Sequence, residues 1–216
     1  MSECCGRIVA MTTPIRLTGD ADADALLTAD DNALLIGMLL DQQVPMEKAF
    51  SGPYVIASRM GRRLDPRAIV ELSEDDFVAL CSQRPAIHRF PGSMAKRVRQ
   101  LCQVLTDDYD GEAANVWAGV ASGAELKNRL QKLPGFGAEK AAIFAALLGK
   151  QRGVTPDGWQ EATGQFGEPG VFRSVADIVD ADSLAKVRDT KKSVKAARKA
   201  SGAQVDAPAG AAQHGA

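Results

Sequence analysis

Apolar residues recur at helical spacing along almost the whole of this chain, and no stretch of strand length alternates apolar with polar positions. The cleanest run is Met94, Val98, Leu101, Cys102 and Leu105, with Lys96, Arg97, Arg99, Gln100 and Gln103 between them. One face of that helix is apolar and the other is charged. Start signals precede several other runs. Asp30, Asp31 and Asn32 offer N-caps to 33–40, and Asp65 followed by Pro66 opens a short helix through Leu72. Ser73 and Asp76 make a weak capping box ahead of Phe77-Val78-Ala79-Leu80. The pattern predicts an all-α protein.

Residues 126–149 read as a hairpin of two helices with a very short connection. Leu126, Leu130 and Leu133 space the first helix. Pro134-Gly135-Phe136-Gly137 ends it, because proline disfavours helix in the residue before it and glycine permits positive φ. The stretch 138–148 is nearly all apolar after Lys140, which predicts a helix buried on several sides. A later helix, at roughly 182–200, carries Lys186, Arg188, Lys191, Lys192, Lys195, Arg198 and Lys199 against Asp189, one basic stripe. Around these elements, 1–12 reads as a flexible leader, 13–200 as a helical domain in two lobes, and 201–216 as a disordered tail.

Composition narrows the function classes. The chain has 216 residues, and 26 Lys+Arg against 27 Asp+Glu leave a net charge of −1, which excludes a uniformly basic nucleic-acid binder but not a local basic patch. With 45% hydrophobic and 25% charged residues, wholesale disorder is excluded. The longest apolar run, 34–40, contains a glycine and falls far short of the roughly 20 residues of a membrane span, so no membrane partner is expected. Without a signal-peptide pattern, a cytoplasmic protein is expected. Cys4, Cys5, Cys81 and Cys102 form no Cys-x-x-Cys pair, which argues against a disulfide framework or a cysteine metal site. Cys81 and Cys102, among apolar neighbours, read as packing residues.

A glycine-bracketed turn feeding directly into a helix leaves backbone N–H groups at a positive helix end, where a phosphate could sit. Taken alone, it is equally a helix–helix turn that needs glycine for its geometry. The wider string is more specific. Leu133-Pro134-Gly135-Phe136-Gly137-Ala138-Glu139-Lys140-Ala141 resembles the hairpin of the helix-hairpin-helix (HhH-GPD) DNA glycosylase superfamily, which includes endonuclease III and the alkyladenine glycosylases. Leu39-Leu40-Asp41-Gln42-Gln43 resembles that superfamily's early leucine-leucine-x-x-glutamine segment, whose glutamine faces DNA. Phe90 through Leu105 resembles the aromatic turn and basic helix ahead of the hairpin, and Asp110-Gly111-Glu112 the loop between them.

The resemblance implies a two-lobed α-helical glycosylase fold and a base-excision repair protein acting on double-stranded DNA as a monomer. Gly135, Phe136, Gly137, Lys140, Gln42 and Gln43 would be its DNA-binding residues. No metal and no organic cofactor would be needed, a monovalent cation at the hairpin being the one ion the resemblance allows. The family's catalytic aspartate follows its hairpin lysine by about eighteen residues, which here falls on Asp157 in Thr155-Pro156-Asp157-Gly158-Trp159. A carboxylate there would stabilise the positive charge that builds on a sugar as its glycosidic bond breaks. The same string is also an ordinary turn. The lysine position itself holds Glu139, which cannot form a Schiff base, so water would be the nucleophile, as in the monofunctional branch. Lys140 lies about 100° round the helix and would point elsewhere. The family's cysteine-ligated iron–sulfur loop is absent, since no cysteine follows Cys102. A non-catalytic DNA-binding or lesion-sensing protein is the alternative.

Other residues carry two readings each. Gln42 and Gln43 suit an exposed helix end or the gap left by an extruded nucleotide. Phe90 reads as a core aromatic, with a wedge in a vacated base stack as the alternative. Trp159 either lines a base pocket or anchors its turn. His88, without a second ligand nearby, reads as a polar surface or loop contact.

Overall fold

The computed structural model describes residues 14–61 and 63–203, with side chains to Ala197, and the leader 1–12 and residues 204–216 of the tail lie outside them. Among the described residues every regular element is helical, and one isolated bridge joins Ser122 to Asp157. The chain is all-α. Among the described residues no helix is long and apolar enough to cross a membrane.

The first group of helices is α1 (Ala21–Ala29), α2 (Asp31–Leu40), α3 (Met46–Met60), α4 (Pro66–Glu71), α5 (Glu74–Ser82) and α6 (Pro91–Asp108). Their start signals operate as the sequence suggests. Asp30 accepts from the N–H groups of Asn32 and Ala33, Asp65 from Arg67, and Ser73 from Asp76. In α6 the residues Met94, Val98, Leu101, Cys102 and Leu105 are all buried. Burial pushes the Cys81 thiol up to about 12 and raises that of Cys102 as well, so both are packing residues rather than reactive ones.

Helix α2 is buried from Asn32 to Leu40 and forms the axis of this group. The side chain of Asn32 donates to the Gly111 carbonyl (3.1 Å) and accepts from Ala113 N–H (2.7 Å), which fixes the 110–113 loop. Helix α3 crosses α2 where both lack side chains: a Cβ on Gly37 would meet the Phe50 ring at 2.6 Å, and one on Gly52 would meet Leu40. Pro53 sits inside α3, a breaker held in helix by this packing.

The second group is α7 (Ala114–Trp117), α8 (Gly123–Gln131), α9 (Ala138–Arg152), α10 (Trp159–Thr163) and α11 (Ala181–Ala203), with short 3₁₀ turns at Gly164–Phe166 and Val175–Asp177. The basic helix thus runs a few residues further than its apolar pattern indicates. Helices α8 and α9 form the expected hairpin. At its far end a Cβ on Gly149 would meet the Trp159 indole at 2.5 Å, so Trp159 anchors its turn against α9.

The crossing of α2 and α3 yields a test. Alanine at position 37 gains about 1 kcal/mol of helix propensity, yet drives a methyl into the fully buried Phe50 ring at a cost of about 1–3 kcal/mol. Urea denaturation should show Gly37→Ala net destabilised, and a midpoint at or above wild type would mean the crossing has slack.

Candidate functional site

Two cations on α9 dock it antiparallel along α2. At its start the Lys140 ammonium donates to the carbonyls of Met38 (2.9 Å) and Leu39 (3.0 Å), at the C-terminal end of α2. At its end Arg152 donates to the carbonyls of Leu27 and Thr28 (2.6 Å each) and faces Asp31 at 3.3 Å. Helix C-termini carry unsatisfied carbonyls and partial negative charge, so a cation is the natural partner at both places.

This docking determines where the hairpin turn sits. Gly135 has φ +82, and a Cβ there would strike Leu39, so the turn lies directly on the end of α2. Gly137 differs: its φ is −76, it caps α9 with no side-chain hydrogen bond, and nothing lies within 4 Å of a Cβ built on it. The first N–H groups of α9 therefore open on free space. Phe136 is 4% exposed and packs edge-on against Phe144, with the Lys140 ammonium 5.9 Å above its ring. Its ring is thus withdrawn from the surface of the turn. The turn, 132–137, has no carboxylate or hydroxyl side chain, so a monovalent cation there would be held by backbone carbonyls alone.

Beside the turn, Gln42 and Gln43 form a rigid corner. Gln42 bonds its own helix end through Leu39 O (2.8 Å) and receives Arg97 on its side-chain oxygen (2.8 Å). His88 makes the loop contact that is one of its two expected roles, but buried rather than at the surface. It is 3% exposed, its Nδ1 accepts from Phe90 N–H (3.1 Å), and its Nε2 is left to donate to the Gln42 carbonyl (2.9 Å). Gln43 then takes a left-handed conformation, φ +57, with its side chain exposed. Phe90, expected in the core, is 47% exposed and lies on the same small hollow as Gln42, Gln43 and His88. The Arg89 guanidinium stacks 4.7 Å from its ring. A lone histidine and an aromatic before Pro-Gly carry no periodic signal, which is why the burial of the one and the exposure of the other were not legible.

On the other side of the same junction lies a cavity of about 450 Å³ between the start of α9 and the middle of α11. Asp41 and Glu139 both line it, facing Arg173, Lys191 and Lys195. Lys140, one residue on, turns to α2 instead, as the 100° step along the helix requires. Burial raises the Asp41 carboxyl above its ordinary value, with Lys191 and Lys140 opposing and Glu47 assisting.

Asp157 is not brought here. Its carbonyl accepts from Gly123 N–H at the start of α8 (2.8 Å), and its neighbour Trp159 packs on Gly149. That places the turn about ten residues, or about 15 Å, along α9 from Glu139. Its side chain is exposed, outside the cavity lining. Among the described residues no three His, Cys, Asp or Glu side chains converge on a metal position. In comparisons with known proteins, no family model, no curated protein and no solved structure matches this chain.

The Lys140 clasp has a pH signature. Burial lowers its ammonium to about 8, with Asp41 opposing and Arg97 adding to the fall. Between about pH 8 and the ordinary lysine value near 10.4, the unfolded chain holds a proton that the folded chain has released. The contribution of Lys140 to stability therefore rises with pH across that window, by about 1 kcal/mol for a group still partly exposed. Urea unfolding of wild type and Lys140→Met at about pH 7.5 and about pH 9.5 should show the difference moving in favour of wild type at the higher pH. Equal differences would remove the clasp from the titration.

Proposed function

We propose that this protein binds duplex DNA through its hairpin and hydrolyses the N-glycosidic bond of an extruded base, in the manner of the monofunctional helix-hairpin-helix DNA glycosylases. One observation carries the reading: the open end of α9, the Gln42–Gln43 corner, the exposed Phe90 and the cavity all surround the junction closed by Lys140. A phosphate would sit on the N–H groups at Gly137, and Gln43 and Phe90 would face the gap that an extruded nucleotide leaves. The two-lobed glycosylase fold is the arrangement that this order of motifs supports.

Water is the nucleophile in this reading. Glu139 stands where a lyase would place its amine, and the Lys140 amine is committed to two carbonyls of α2. The position of Asp157, remote from the hairpin, favours a second reading, a lesion-sensing protein that binds without cleaving. The two part on base release from a panel of duplexes with damaged or mispaired bases: release supports the glycosylase, and tight binding without release supports the sensor.

Two variants test the binding mode. Gly137→Val places its side chain in open space at a φ that valine adopts, so the fold should survive. It should still lose about tenfold or more in duplex affinity, because the β-branched side chain covers the helix end. Undiminished affinity in the folded variant would end the clamp assignment. Replacing Lys191 and Lys195 with glutamine should flatten the salt dependence of binding by about two phosphate contacts, equally for all sequences. An unchanged slope would make them a solubilising face.

A further inference from the structure

We infer that Asp41 and Glu139, not Asp157, are the carboxylates that act on the deoxyribose–base bond, inside the cavity between α9 and α11. The inference rests on the DNA-glycosylase reading above and names the groups that would do its chemistry.

The placement comes first. Of the three carboxylates, Asp41 and Glu139 line the 450 Å³ cavity that adjoins the hairpin, while Asp157 is tied by its backbone to the start of α8. The cavity suits an extruded nucleotide in its parts as well as its size. Ile143, Phe166 and Val175 offer an apolar surface to a base, and Arg173, Lys191 and Lys195 offer cations to the phosphates on either side of its sugar.

A carboxylate beside a surface that must accept phosphate opposes binding. Glu139 has a local excuse, since an acid in the first turn of a helix favours its dipole. Asp41 has none. It is the C-cap of α2, an anion at the negative end of a helix, half-buried, with the Lys140 ammonium on the neighbouring carbonyls as partial relief. A residue that breaks a local rule on the wall of a cavity is the kind that chemistry retains.

The roles follow from the surroundings. Asp41, half-buried on the cavity wall, holds its negative charge against the cation that develops on the sugar, and Glu139 is exposed to solvent. Glu139 takes a proton from water, whose oxygen bonds to the sugar C1′. The C1′–N pair leaves with the base, and the base nitrogen receives a proton from solvent. The sugar gains a hydroxyl and the base a hydrogen, one water being consumed. Solvent then takes the proton from Glu139, and no net proton is gained or lost.

The test uses the full chain and two duplex probes alike except at one site. One carries a pyrrolidine abasic analogue, whose ring nitrogen is cationic where charge develops on the sugar, and the other carries neutral tetrahydrofuran. Wild type should prefer the pyrrolidine duplex by about tenfold or more. Asp41→Asn and Glu139→Gln should each reduce that preference severalfold, and on a cleavable duplex each should slow base release by about 100-fold. Asp157→Asn should retain both. Thermal melting separates chemistry from structure: Asp41→Asn removes an unfavourable charge and should melt no lower than wild type.

A preference that survives in both cavity variants, or is lost in Asp157→Asn, overturns the assignment. So does a wild type that binds plain duplex but shows no preference for the cationic probe, and in that case DNA binding itself stands. Failure to bind any duplex would instead overturn the DNA reading, and this inference with it.

Discussion

Carbonyl groups at the end of a helix must find donors, and in this protein two of the helix ends find them on α9. Lys140 satisfies Met38 and Leu39 at the end of α2, and Arg152 satisfies Leu27 and Thr28 at the end of α1. Both cations are largely withdrawn from water, and such groups are expensive to leave unpaired. Each therefore holds α9 in one register along α2. The position of the hairpin turn is a consequence of that register, and Gly135 makes it sterically possible by leaving room for Leu39. With the turn seated on α2, the Gln42–Gln43 corner and the cavity lined by Asp41 and Glu139 come to either side of it.

Much of the fold was legible because burial follows periodicity. Caps at Asp30, Asp65 and Ser73, the stripe on α6 and the apolar α9 each announce a helix that the structure contains. Helix α3 is less visible, since Gly52-Pro53 in its middle reads as a break. Proline costs a helix about 3 kcal/mol, which the close crossing of α3 on buried α2 offsets.

The site was legible in its parts but not in its assembly. Spacing counts residues and says nothing of the path they take. Eighteen residues after Glu139, the chain could return toward the hairpin in extended form or turn aside. It turns aside, because Gly123 and Gly149 leave room for Gly158 and Trp159 to pack between α8 and α9. The partner of His88 was hidden for a related reason. It is the Gln42 carbonyl, 46 residues away, which only the tertiary fold supplies.

Charge shows the same dependence on place. A net charge of −1 gives no hint of a basic surface. Yet Lys96, Lys150, Lys186 and Arg188 are matched by Glu74, Asp177, Asp182 and Glu47, whereas among the described residues no carboxylate stands at ion-pair distance from Lys191 or Lys195. Neutralising pairs elsewhere leave a local positive excess around the cavity, in a chain that is balanced as a whole. Within that excess the two acids matter more than their number suggests. An anion placed among cations in a half-enclosed space is held where its field is least diluted by water. Asp41 bears the larger burden, since the helix it caps gains nothing from it. The helix dipole alone would favour a neutral or basic residue at that position, and the aspartate is matched instead to the cations it faces, Lys140 of the clasp and Lys191 across the cavity.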